Sequence, residues 1–135
     1  MNFNALIPEL VVTDLSRSLA FYQDALGFRE VFNRPEEGFH FLERDGAQIM
    51  LLAAGEGRWM SHGESPLGNG MNLAIALPGY PVGWVESLRP HWFVAPFEHE
   101  YETGDGRVRV EQFVVRDPDG YLLRFVRRLP SVARS

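Results

Sequence analysis

Apolar residues along this chain recur at two periods, and the switches between them mark out its elements. Leu6–Val12, rich in Leu, Ile and Val, predicts a strand, with Pro8 near its start where a missing N–H is tolerated. Asp14 or Ser16 then suits an N-cap. Beyond it Leu15, Leu19, Tyr22 and Leu26 fall at offsets of 0, 4, 7 and 11, the stripe of one helix face, and Gly27 follows as a C′ residue. Phe28–Asn33 predicts a second strand and residues 34–38 a turn. Phe39–Arg44 and Ala47–Leu52 predict two more strands, joined by Asp45-Gly46, a pair favoured in tight hairpins. The first half therefore reads β-α-β-β-β.

Residues 53–70 form a long, Gly-rich connection holding Trp59, His62 and Pro66, and loops of this length in a compact domain are usually functional or linkers. Asn72–Leu77 predicts the next strand. Pro78-Gly79-Tyr80-Pro81 turns into a short helix over Val82–Leu88, with Pro81 suited to its first turn. Trp92–Val94 and Phe97–Glu102 suit strands, Thr103-Gly104-Asp105-Gly106 a hairpin turn, and Val108–Val115 and Tyr121–Arg127 the last two strands. Between these, Pro118 presets φ and Gly120 supplies a positive φ for a turn. The second half again reads β-α-β-β-β. Arg44-Asp45-Gly46 before one strand mirrors Arg116-Asp117-Pro118-Asp119-Gly120 before another, which points to a duplicated module. In the last strand Leu122, Arg124 and Val126 share one face and Tyr121, Leu123 and Phe125 the other, so an arginine interrupts an apolar face.

Composition narrows the functional classes. The 135 residues suit one domain, with a 45% hydrophobic and 23% charged share. The absence of cysteine excludes disulfides and thiolate chemistry, and a net charge of −5 disfavours nucleic acid and anionic membranes as partners. Residues 67–85 lack formal charge but are broken by Gly and Pro, so no membrane span is expected. With no basic, apolar leader at the N-terminus, the expected location is cytoplasmic.

Two stretches carry a family likeness. Pro8-Glu9-Leu10-Val11-Val12-Thr13-Asp14-Leu15, followed by Ser18, Phe21-Tyr22 and Leu26-Gly27-Phe28, resembles the opening of the glyoxalase/bleomycin-resistance/extradiol-dioxygenase superfamily, the vicinal oxygen chelate fold. Residues 116–125, from Arg116-Asp117-Pro118-Asp119-Gly120 to Phe125, resemble its closing hairpin. The resemblance implies an α+β fold in which two paired βαβββ modules form a curved, incomplete barrel around a cleft, commonly in a homodimer. Residues 1–135 would then be one such domain, with module one over about 5–53, a connection over 54–70 and module two over about 71–128.

In metal-dependent members a divalent cation is held from the first and last strand of each module. Carried over by spacing, those positions are Ile7, Met50, Asn72 and Arg124. None is His or Glu, and a hard cation gains nothing from Ile or Met and is repelled by Arg. A cleft with no metal and no cofactor is expected. In place of a metal ligand, Arg124 offers a fixed cation, and Glu9, on the face of Ile7, either pairs with it or joins it in facing a ligand.

Of the four histidines, none forms a His-x-His or His-Glu-x-x-His pattern, and alternation puts His99 opposite Glu98 and Glu100. Gly55-Glu56-Gly57 lacks the third glycine of a dinucleotide loop, and no phosphate-cradling or nucleophile-elbow motif is present. Phe39, Phe41, Trp59, Trp92, Phe97 and Phe113 fall where a cleft would be bordered. Trp59 stands out because its Gly-rich loop cannot make a core.

The ligand-binding candidates are therefore Glu9, Met50, Trp59, Asn72, Arg124, Phe41 and Phe113. The resemblance implies a metal-independent small-molecule binder of the bleomycin-resistance kind, whose ligand would be an antibiotic. The alternative is a lyase, isomerase or dioxygenase with an unusual metal site on Glu9 and His40 or His99, or with Glu9 as general base. A neighbouring Arg124 would oppose that last role by lowering the pKa of Glu9.

Overall fold

A computed structural model of the chain describes residues 2–55 and 59–130. Residues 56–58, which include Glu56-Gly57 of the connection, and the polar tail after Pro130 lie outside the described residues. The chain divides into two compact units, Met1–Asn69 with Asp117–Tyr121, and Gly70–Arg116 with Leu122–Ser135. The architecture is α+β with two four-stranded sheets. Among the described residues no helix is long and apolar enough to cross a membrane.

In the first unit, β1 (Glu9–Val12) leads into α1 (Leu15–Ala20), followed by β2 (Arg29–Arg34), β3 (Phe39–Arg44) and β4 (Ala47–Ala53) in sheet order β1-β4-β3-β2. The Asp14 side chain accepts from the Arg17 amide and so caps α1. The expected apolar stripe is present, but its last turn is a π-turn over Phe21–Ala25, with the Leu26 amide donating to the Phe21 carbonyl at 3.0 Å. The wider turn lets consecutive residues, Phe21 and Tyr22, both face inward, their rings edge to face at 5.4 Å. Gly27, at φ +77°, ends the element as expected. Asp45 and Gly46, at φ +47° and +88°, make the tight β3–β4 turn.

The second unit repeats the plan. β5 (Leu73–Ala76), α2 (Trp84–Ser87), β6 (Trp92–Thr103), β7 (Gly106–Arg116) and β8 (Leu122–Arg128) assemble in order β5-β8-β7-β6. In each unit the first strand lies parallel to the fourth, Glu9 beside Met50 in one and Ala74 beside Arg124 in the other. The helix expected over Val82–Leu88 is shorter, because Gly83 at φ +82° delays its start and the Pro81 carbonyl accepts from the Trp84 amide. The two short strands expected before residue 103 are one strand, which passes Pro96 by shifting register between Trp92 and Val94 and between Val94 and Phe97. Trp84 packs edge-on against Phe113 and Phe125 at 5.8 and 5.2 Å, forming the core of this unit.

The turn Asp117–Gly120 belongs with the first unit and is deeply engaged there. Asp117 accepts from the Asp119 and Tyr121 amides at 2.9 and 2.8 Å and from the Tyr22 hydroxyl at 2.8 Å. Asp119 accepts from the Thr13 amide and hydroxyl, and its carbonyl accepts from the Leu67 amide. The Tyr121 hydroxyl donates to the Val11 carbonyl, and burial pushes its pKa up to about 12, so it remains a donor. Gly120 sits at φ +98°, where a Cβ would stand 2.8 Å from the Pro66 Cα, so neither the conformation nor the space admits a side chain.

Burial raises the Asp117 pKa, and the hydrogen bonds from Tyr22, Tyr121 and Asp119 oppose the rise. A carboxyl raised in this way contributes stability below its unfolded pKa and loses it as pH climbs through the folded value. Removing the Tyr22 hydroxyl raises that value further. Tyr22→Phe is therefore expected to lose about 1.5–3 kcal/mol at neutral pH, and less below about pH 4, where the carboxyl is protonated in both states. Urea denaturation at the two pH values measures this, and equal losses would contradict it.

Candidate functional site

On the first sheet, residues paired across strands share a face, and one face gathers Ile7, Glu9, Met50, Leu52, Phe39, Phe41 and Phe32. Phe39, Phe41 and Leu52 are buried, with Ile7, Val31, Phe32, Met50 and Met60 packed around them. Phe32 stacks on Phe41 at 5.0 Å, and the Arg34 guanidinium lies 3.9 Å from the Phe39 ring centre. Three expected ligand residues thus meet here, as Glu9 is the ladder neighbour of Met50 and Met50 that of Phe41. Trp59 adjoins Met60, which packs against this cluster, and is itself 88% exposed.

Phe3 is an addition that sequence periodicity did not single out. Gln48 grips the N-terminal segment from both sides, accepting from the Asn4 amide and donating to the Asn2 carbonyl, each at 2.7 Å. The same Gln48 amide hydrogen-bonds Glu43, which holds the Glu43 carboxyl below its usual range. So gripped, Phe3 lays its ring edge-on to Phe41 at 5.5 Å and to Phe32 at 6.4 Å. Phe41 is buried beneath these rings, so Phe3, Phe32 and Met50 form the outer layer of the aromatic face.

The second sheet places Asn72 and Arg124 together. The Arg124 Nε donates to Asn72 Oδ1 at 3.2 Å, and its Nη1 donates to Gln112 Oε1 at 3.0 Å. Gln112, a buried amide on an otherwise valine-rich face of β7, was not among the expected residues. Phe113, expected on a cleft wall, requires correction. It pairs with Phe125 while Val114 pairs with Arg124, so alternation turns it to the opposite face. There it is fully buried against Phe125, Tyr80 and Trp84.

The remaining charged candidates have structural partners. His40 pairs with Glu30, whose carboxylate also accepts from Asn33, and His62 meets the Gly63 carbonyl. His99 stacks on Tyr101, on the face opposite Glu98 and Glu100, which pair with Arg109 and Arg107. Among the described residues no three His, Asp or Glu side chains converge on one point.

Comparison with known proteins decides the family. Residues 5–125 match the model of the glyoxalase/bleomycin resistance protein/dioxygenase superfamily. The chain belongs to that superfamily. It is 31% identical over 130 residues to bleomycin resistance proteins of Geobacillus stearothermophilus and Staphylococcus aureus, covering 93% of this chain and 97% of each relative. Solved structures with the same fold include an integron cassette protein of V. cholerae (TM-score 0.67, 21% identity, 94% of this chain and 97% of that one). Another is a virulence protein of Salmonella typhimurium (TM-score 0.66, 20% identity, 96% of this chain and 100% of that one).

The residues that spacing carries over to the superfamily's ligand positions fall at corresponding places on the two ladders. Met50 and Arg124 each lie four residues after a turn glycine, and Ile7 and Asn72 each lie two residues ahead of Glu9 and Ala74, the parallel neighbours of Met50 and Arg124. A thioether, an alkyl chain, a neutral amide and a guanidinium do not fit a divalent cation, since only the amide oxygen is a suitable donor and it already accepts from Arg124.

The aromatic face depends on Phe3, and edge-to-face pairs contribute about 0.5–1.5 kcal/mol beyond area burial. Phe3→Ala is expected to destabilise the chain by about that amount and to increase fluorescence of an apolar dye. Thermal melting and dye titration check both effects, and an unchanged dye signal would mean that Phe3 covers nothing.

Proposed function

We propose that this superfamily member is a metal-independent, cytoplasmic small-molecule binder that sequesters an antibiotic of the bleomycin type without chemical conversion. The observation that carries the reading is the chemistry of Ile7, Met50, Asn72 and Arg124, the residues that spacing carries over to the superfamily's ligand positions, which would leave a metal-assisted reaction without donors. The aromatic face of Phe3, Phe32 and Met50, with Glu9 beside it and Trp59 next to Met60, which packs against the cluster, supplies flat apolar contact and one carboxylate. A net charge of −5 favours a cationic ligand. The named relatives are bleomycin resistance proteins, which supports that choice of ligand.

Titration with bleomycin, read by tryptophan fluorescence, is expected to saturate with one ligand per site. Trp59→Ala removes most of the signal change, and Glu9→Gln weakens binding about tenfold, the value of one charge-assisted contact. Chelator dialysis leaves the titration unchanged. No saturable change at high ligand concentration would remove the antibiotic reading, and stoichiometric Ni, Zn, Mn or Fe in the purified protein would remove metal independence.

The functional form in this reading is a homodimer. β6 is an edge strand of its sheet and exposes Phe93, Val94, Phe97 and Tyr101, an apolar row that a second copy would cover. Sedimentation equilibrium is expected to give twice the 15.4 kDa chain mass, and a single-chain mass at all concentrations would rule the dimer out.

A further inference from the structure

The second sheet sorts its charges by face. Glu98, Glu100, Glu102 and Glu111 all lie on the face of Phe113 and Phe125, and salt bridges join them to Arg107, Arg109 and Arg127. The other face carries Arg116, Arg124 and Arg128 in a setting of Val110, Val114, Val126, Leu122, Ala74 and Ala76, and none of the carboxylates of β5–β8. Arg116 lies at the edge of this face over the Phe93 ring, at 4.7 Å, and Arg128 is exposed at the end of β8.

Arg124 is different from both. It sits mid-strand between the inner ladders, with exposed Ala74 on one side and buried Val114 on the other. Its two hydrogen-bond acceptors, Asn72 and Gln112, are neutral amides, which fix the guanidinium plane without cancelling its charge. Among the described residues of this unit it makes no salt bridge, and its side-chain hydrogen bonds leave from Nε and Nη1, with Nη2 in neither. A half-buried cation that is held in place and left uncompensated is the arrangement used to receive an anion. Beside it Ala74 and Ala76 are small and exposed, and Val114 and Val126 are apolar neighbours on the same face.

We propose that Arg124, oriented by Asn72 and Gln112, is the binding site for an organic anion, a carboxylate, sulfonate or phosphonate head on an apolar body. The site is built wholly within the second unit and does not rest on the antibiotic reading, which uses the first unit and a ligand of opposite charge. The probes are benzoate, benzenesulfonate and phenylphosphonate, with benzamide and benzylammonium as neutral and cationic counterparts of similar shape.

The readout is the Arg124 Nε–H signal in a nitrogen–proton correlation spectrum of the full chain. The anions are expected to shift it saturably and the counterparts to leave it in place. Binding measured by calorimetry is expected to weaken at least about tenfold in Arg124→Gln and to be unaffected by Arg127→Gln on the opposite face. Gln112→Leu, which removes one orienting acceptor while keeping the charge, falls between the two and serves where Arg124→Gln does not fold. No saturable shift with any anion, an equal shift with benzamide, or equal affinity in Arg127→Gln and Arg124→Gln would overturn the proposal. None of these results bears on bleomycin binding at the first unit.

Discussion

The fold of the first unit turns on a four-residue loop from the far end of the chain. Asp117, Pro118, Asp119 and Gly120 connect β7 to β8, yet their contacts tie together the end of β1, the π-turn and the connection near Leu67. Two carboxylates are buried there, and three donors meet Asp117 while two meet Asp119. Buried carboxylates are tolerable only when so satisfied, and at Asp117 burial still outweighs these bonds and raises the pKa. Gly120 and Gly68 complete the fit by bringing backbone against Pro66 and the Tyr121 ring, where a Cβ would collide. A single substitution in this loop therefore acts on elements that share no strand ladder.

Much of this was legible in the residues, and the losses have identifiable causes. The loop itself was readable as a hairpin turn because Pro118 and Gly120 act locally. Its docking was not, because Tyr22 and Thr13 stand 95 and 106 residues away from their partners. The helical stripe of Leu15, Leu19, Tyr22 and Leu26 was sound, while the π-turn that lets Phe21 join it leaves no mark in apolar spacing. Trp92–Val94 and Phe97–Glu102 were expected as separate strands, but register shifts on either side of Val94 let one edge strand carry Pro96 between them. Phe113 was misplaced although the information was present. Once the loop fixes Arg116 opposite Leu122, antiparallel pairing forces Phe113 opposite Phe125 and away from Arg124.

Duplication explains the frame and divergence explains the chemistry. Corresponding ladder positions hold Glu9 and Met50 in one unit and Ala74 and Arg124 in the other. The first sheet thus presents an acid among aromatic and thioether groups, and the second a base among small and branched apolar groups. Neither supplies the cluster of imidazole and carboxylate donors that a first-row cation needs. The two faces differ in sign because corresponding ladder positions carry Glu9 and Met50 in one unit and Ala74 and Arg124 in the other, so the same ladder presents different chemistry.

Arg124 also constrains the sheet that holds it. Side chains alternate at period two, so a one-residue slip of β8 against β7 would drive the guanidinium into the space between Phe113, Phe125 and Trp84. Its acceptors Asn72 and Gln112 would be left behind on the other face, and an unpaired buried cation is among the most costly errors a core can contain. The same slip would expose Phe125, which is fully buried in the observed register. The arginine that gives the open face its charge therefore also penalises the wrong register. Replacing it by an apolar residue would remove that penalty, so the charge serves the geometry of the hairpin as well as the chemistry of the face.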